Sequence, residues 1–503
     1  MESKPPTKGP SSLTKGSKMA QIIVIVVAVV VIAGAGIGIF ELSKSTTTTT
    51  TVTPTPSSSS VTITVWGSGS AGGESEGFNQ SLTAFEAAYP NVTVIDSPAV
   101  GVASTTYLTA AHAGTAPDVY RDTCENGAEA LVAGVATNLT PYLNSSYINS
   151  FTSGTIKDWT YDGAIFGIPI NTNGVALYYN KEFVPTPPSN TYQMIQDAMN
   201  VSAKGSPYIG LPYDLGADAG YRFAAWLPAF GGEIYNSTNY PEINSSASVA
   251  AMSFVWNWTV KDHIDKVGLT GAEECDLFEA GDSAFFIDGP WAQSSILKAF
   301  GTHDNEVGVA PLPFDNATGK WPAPIWGSIG YVISTPRASG MTPSQFWASL
   351  KFVEFITDNQ SQVNLFKLSG DLPSLKSAGS YITNHTFNDT LIGGWIAQEK
   401  HTQTSGNNPL LEYYYSNFDT GVSDLEENSS TVTVADAATI IEKAMISDLI
   451  ENGYMSGNGA AAAFGINILP SMLTSFSHVQ PESLINVFLG NFYSADSSVA
   501  RIL

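Results

Sequence analysis

Val61-Thr62-Ile63-Thr64-Val65-Trp66 alternates apolar and polar residues, and Gly67-Ser68-Gly69-Ser70-Ala71-Gly72-Gly73 follows without a break. Alternation with period two predicts a half-buried strand. Past the turn, Phe78, Leu82, Phe85 and Tyr89 recur at helical spacing, and Asn91-Val92-Thr93-Val94-Ile95 reads as a second strand. Strand, turn, helix and strand make a β-α-β unit, which requires a parallel sheet with helices packed on it. The glycine turn has neither a Walker lysine nor a clean GxGxxG, so a nucleotide loop is set aside.

Downstream, Ala116-Pro117-Asp118-Val119-Tyr120 predicts a further strand, whose end carries Asp122, Glu125 and Asn126, and a helix begins near Ala128. Asp158 to Pro169 reads as a tight hairpin turning at Asp162-Gly163, and Val175 to Tyr179 as another strand. Ser283-Ala284-Phe285-Phe286-Ile287 is a short apolar strand that stops at Asp288-Gly289-Pro290, with Trp291 directly after. A tryptophan at a strand end presents a flat aromatic face at the mouth of a sheet. Residues 352–366 predict one continuous helix, and 437–450 another that ends at Asn452-Gly453.

The 503 residues suit two or three domains. With 21 basic and 45 acidic residues and no basic run, a nucleic-acid partner is disfavoured, because phosphate binding needs clustered Lys and Arg. Cys124 and Cys275 make no disulfide framework and no metal spacing. Two small buried residues is one reading, and a single bridge is the other.

Lys4, Lys8, Lys15 and Lys18 precede an uncharged stretch from Ala20 to Phe40. That stretch is about 30 Å long as a helix at ~1.5 Å per residue, enough to cross a hydrocarbon core. The basic flank predicts residues 1–18 on the cytosolic side, a transmembrane or signal-anchor helix at 19–41, and everything after it outside. Gly34-Ala35-Gly36 offers cleavage as an alternative. Lys15-Gly16-Ser17 ahead of this segment resembles the class III, prepilin-type signal peptides of archaeal sugar-binding proteins; the resemblance implies cleavage after Lys-Gly and a retained hydrophobic segment. Residues 42–60, rich in Ser, Thr and Pro, predict an extended linker that cannot join a core. Asn-X-Ser/Thr sequons recur along the body from Asn79 to Asn428, which fits an exported glycoprotein.

The segment YDGAIFGIPINTNGVALYYNKEFV (161–184) resembles the hallmark of family 1 extracellular solute-binding proteins, the group containing maltose and maltodextrin binders. APDVY (116–120), FGGEIYN (230–236), FEAGDSAFFIDGPW (278–291), VGVAPLPF (307–314), PIWGSIGYVIS (324–334) and FVEFITDNQSQVNLF (352–366) occur in the family's order. The resemblance implies a two-lobe α/β fold of the periplasmic-binding-protein type II class, with ligand held between lobes joined by a hinge. One lobe would comprise 61–171 and 325–372, and the other 175–320 and 375–503. It further implies capture of a sugar or oligosaccharide at the cell surface, delivery to the permease of an ABC transporter, no cofactor, no metal and no catalysis.

A sugar has hydroxyl edges and apolar C–H faces, so its site combines flat aromatics with carboxylates and amides. By the resemblance, Trp291 stacks on a ring, Tyr213 faces the ligand, and Tyr415 with Tyr414 stands where maltodextrin binders carry a stacking Trp. Glu125, Asn126 and Asn173 fall where the maltose binders have Asp, Arg and Glu, departures that put maltose itself in doubt. Asp122, Asp214, Ser68, Glu74, Trp66 and Trp326 complete the candidates, each with a plain structural reading beside it. Two rivals remain: a surface or adhesive glycoprotein with this fold, and an enzyme acting on glycosides. No segment resembles a hydrolase acid/base motif, and the six histidines are scattered.

Overall fold

The computed structural model describes residues 60–67, 72–97, 104–214, 219–384, 391–404 and 408–455. The predicted membrane segment, the linker, Ser68 and everything after 455 lie outside the described residues.

The first sheet has the order β2-β1-β3-β12-β6. Strand β1 (Val61–Trp66) pairs in parallel with β2 (Val92–Asp96) and β3 (Val119–Thr123), while β12 (Ile329–Ile333) runs antiparallel to β3 and to β6 (Ile168–Pro169). In β1 the alternation plays out as read, with Ile63 and Val65 buried and Thr62 and Thr64 exposed. The helix Gly72–Ala88 lays Phe78 and Phe85 into this core, where Phe85 meets Phe352 edge-on at 5.1 Å.

The second sheet is small and antiparallel, β10-β8-β9, built from β8 (Ala176–Asn180), β9 (Phe285–Asp288) and β10 (Val307–Ala310). All three strands are buried along their whole length. Both faces are covered, which is why these stretches read as apolar runs without alternation. A tryptophan- and tyrosine-rich core lies beside this sheet, with Trp226 and Trp258 in edge contact at 5.2 Å and the helices Ser246–Val260, Leu411–Glu427 and Val434–Glu451 around it.

Three chain segments run side by side between the sheets. Strand β7 (Asn171–Thr172) pairs with β13 (Leu372–Pro373), and Asn173 bridges to Gly327. The fully buried Gln362 ties the flanks of two of them, at Pro169 and at Ser374-Leu375, to its own helix. Its Nε2 donates to Ser374 Oγ at 2.9 Å and to the Thr357 carbonyl at 3.0 Å, its Oε1 accepts from the Leu375 amide at 2.9 Å, and Ser374 Oγ donates onward to the Pro169 carbonyl at 3.0 Å.

Two expectations are corrected here. The helix expected over 352–366 is broken into Pro343–Ile356 and Asn359–Ser369, because Asp358 caps the second by accepting from the Ser361 amide at 2.8 Å. The bridge reading for the cysteines also falls, since neither Cys124 nor Cys275 forms a disulfide. The Asp-Gly hairpin forms from β4 (Thr160–Tyr161) and β5 (Ala164–Ile165), with Asp162 and Gly163 at φ 46° and 77°.

Gln362→Leu keeps the volume and strips partners from buried polar groups in three segments. It is expected to lower unfolding free energy by about 2–4 kcal/mol, read as a lower midpoint in urea with an unchanged slope.

Candidate functional site

A cavity of about 550 Å³ opens between the carboxyl end of β3 and the helix Leu411–Glu427. Six of the expected residues line it: Glu74, Glu125, Asn126, Asn173, Trp291 and Tyr415. Glu125 and Asn126 come from the first turn of the helix Cys124–Val132, which starts as β3 ends. Trp291 is placed by Gly289: a Cβ there would stand 2.1 Å from the indole, so only glycine lets the ring fold back over the turn.

The aromatic wall is completed by a residue that the sequence reading missed. Tyr221, in the short helix Ala219–Phe223, sits between Trp291 (ring centroids 6.2 Å) and Tyr415 (6.1 Å) and donates to the Ile325 carbonyl at 3.2 Å. Arg121, Arg222, Asp288 and Glu412 also line the cavity. The Tyr-Arg pair Tyr221-Arg222, a few residues after the candidates Tyr213 and Asp214, is the available signal.

Other candidates lie elsewhere. Tyr213 is buried in the core edge-on to Trp258 at 5.2 Å, and Tyr414 is fully buried, donating to the Gly220 carbonyl at 2.8 Å. Helical geometry explains the Tyr413-Tyr414-Tyr415 run: consecutive residues point about 100° apart, so one faces the cavity and its neighbour the core. Trp66 packs half-buried against the cluster around Tyr120 and Cys124, Trp326 is buried against Gly174 between the sheets, and Asp214 is buried near Gly271 and Arg222. Asp122 stands behind the wall with no exposure; its Oδ1 accepts from the Thr123 amide at 2.8 Å and from Asn126 Nδ2 at 3.0 Å. It therefore positions Asn126, leaving Asn126 Oδ1 without a hydrogen-bond partner. Asn173 Nδ2 and Tyr415 Oη have none either.

Both arginines are committed. Arg121 pairs with Glu74 at 2.8 Å, and Arg222 pairs with Glu274 at 2.9 Å while Asp288 lies 3.8 Å away. Burial raises the carboxyl pKa values of Asp122, Glu125 and Glu412, and Glu412 facing Glu125 and Asp122 raises those two further. Among the described residues, no group of three His, Cys, Asp or Glu converges to hold a metal ion.

Two sheets joined by antiparallel crossing segments, with a cavity walled by aromatics on one side and amides and carboxyls on the other, define a ligand-binding protein. The chain belongs to the bacterial extracellular solute-binding proteins, whose family model matches residues 80–387; the family is one of binding proteins, not enzymes. Its relatives include a maltotriose-binding protein of Pyrococcus abyssi, 24% identical over 312 residues, covering 59% of this chain and 63% of the relative. A maltooligosaccharide ABC transporter solute-binding lipoprotein of Streptococcus pneumoniae is 27% identical over 255 residues, covering 48% of this chain and 56% of the relative. The chain thus spans about half the length of the curated relatives it matches. A maltose/maltodextrin-binding domain from Bdellovibrio bacteriovorus bound to maltotriose superposes with TM-score 0.69 at 21% identity, over 77% of this chain and all (100%) of the other. A Thermus thermophilus maltotriose-binding protein does so with TM-score 0.67 at 20% identity, over 77% and 100%. These likenesses establish the two-lobe, type II periplasmic-binding fold.

Burial pushes the carboxyls of Asp158, Asp265 and Asp371 up to about 7. An unfolded Asp titrates near ~3.9, so the folded chain holds these protons more tightly. Their stabilising contribution is complete below that value and is lost as pH rises through about 7. The thermal midpoint is expected to be higher at about pH 4 than at about pH 8, which calorimetry across that range checks.

Proposed function

We propose that this chain is a cell-surface binding protein that captures a sugar or oligosaccharide between its two lobes and delivers it to an ABC importer. The observation that carries the reading is the cavity itself: the rings of Trp291, Tyr221 and Tyr415 form one wall, with Glu125, Asn126 and Asn173 as hydroxyl-binding groups on the other. Flat rings take the C–H faces of a pyranose, and buried carboxyl and amide groups take its hydroxyls. The maltotriose and maltooligosaccharide binders among its relatives support the ligand class.

In this reading one lobe comprises 61–171 and 325–372, and the other 175–320 and 375–503, with the crossings at β7, at Asn173 beside Gly327, and at β13 as the hinge. A ligand closes the hinge only through its greater affinity for the closed form. Moving the equilibrium from 1:99 to 99:1 takes about 5.5 kcal/mol, within reach of two or three stacked rings and several charge-assisted hydrogen bonds. In the same reading the hydrophobic segment 19–41 is the membrane anchor and 42–60 the linker to the body.

A thermal-shift screen against mono- and oligosaccharides tests the assignment. A ligand at ~100 times its Kd adds about 2.7 kcal/mol of stability, and the absence of a shift with every saccharide would remove the sugar. Trp291→Ala is expected to weaken binding of the best saccharide about tenfold or more, the equivalent of losing one stacked ring, as measured by calorimetric titration.

A further inference from the structure

The cavity holds more carboxyl groups than its cations balance. Among the described residues, Arg121 and Arg222 are its basic lining residues, and both are engaged, by Glu74 and by Glu274 with Asp288. Glu125 and Glu412 line the same cavity from different helices, Cys124–Val132 and Leu411–Glu427. These helices meet one turn away, where Tyr413 Oη donates to Glu129 Oε1 at 3.4 Å. The two carboxyls thus reach the cavity from two helices, beside three aromatic rings and the unpartnered, buried Asn126 Oδ1, and among the described residues no Lys or Arg pairs with either.

Resting on the sugar-binding reading above, we propose that the ligand is an amine-bearing saccharide whose ammonium group sits between Glu125 and Glu412. Beside a neutral sugar the two carboxyls oppose each other's ionisation at low dielectric, whereas an ammonium group lets both ionise and adds two attractions. The gain exists only while the two helices face one another, so it is differential affinity for the closed form. Trp291, Tyr221 and Tyr415 suit the same ligand, because aromatic faces attract ammonium groups as well as C–H faces. Burial raises the pKa of both carboxyls, and Glu412 raises that of Glu125 further. A metal ion fits less well, since no third acidic, histidine or cysteine ligand converges among the described residues.

Calorimetric titration of the full chain with the glucosamine disaccharide, its N-acetylated form, cellobiose, maltotriose and putrescine separates the outcomes. The free-amine disaccharide is expected to bind about tenfold more tightly than cellobiose, the scale of one charge-assisted hydrogen bond pair, with the advantage shrinking as salt is raised. In Glu125→Gln and Glu412→Gln the ratio of amine to neutral affinity is expected to fall toward one. Equal or tighter binding of the neutral or N-acetylated sugars by the unaltered chain would overturn the amine and leave the sugar reading standing. Putrescine bound as tightly as the disaccharide would overturn the saccharide. Binding of none of the five would overturn both readings.

Discussion

One buried carboxamide holds the molecule's geometry together. Gln362 is fully enclosed, yet it satisfies groups on segments far apart in sequence: its own helix boundary at Thr357, the returning strand at Ser374 and Leu375, and, through Ser374, the departing strand at Pro169. Buried polar groups left unpaired cost more than the bonds themselves return, so this network permits one arrangement of the crossing segments and penalises others. Close packing adds to it. A side chain at Gly370 would stand 2.8 Å from the Pro290 carbonyl, so the crossing is pressed against the turn that presents Trp291. Crossing segment and aromatic wall are thus set by the same contacts.

The second theme is the placement of charge. A chain with 45 acidic and 21 basic residues carries much of the imbalance on its surface, yet some carboxyls are driven inward around the cavity. Where an arginine is available, as for Glu74 and Glu274, the pair is close. Burial also raises the pKa of Asp122, Glu125, Asp158 and Asp371, and that of Glu274 even beside its arginine, so desolvation outweighs the nearby cations. The same physics shapes the cavity and makes the fold favour acid.

Much of this was legible beforehand, for identifiable reasons. Period-two alternation located β1, and the apolar run stopped by Asp288-Gly289-Pro290 located β9 and the tryptophan beyond it, because pleat and turn chemistry are local. The break at Asp358 escaped notice because an N-cap inside an otherwise helical pattern competes with continuation, and packing decides between them. Tyr213 and Tyr414 were misplaced for another reason: an aromatic near a cleft and one in the core have the same composition and similar neighbours.

The sequence by itself therefore determined the α/β class, the order of the elements, the acidic balance and the candidates Trp291, Glu125, Asn126, Asn173, Glu74 and Tyr415. Only the tertiary structure decided that Tyr221 joins them, that both cavity arginines are engaged, and that Glu125 faces Glu412. These are contacts between residues roughly 50 to 290 positions apart, and their chemistry depends on distance and burial, which no local periodicity encodes.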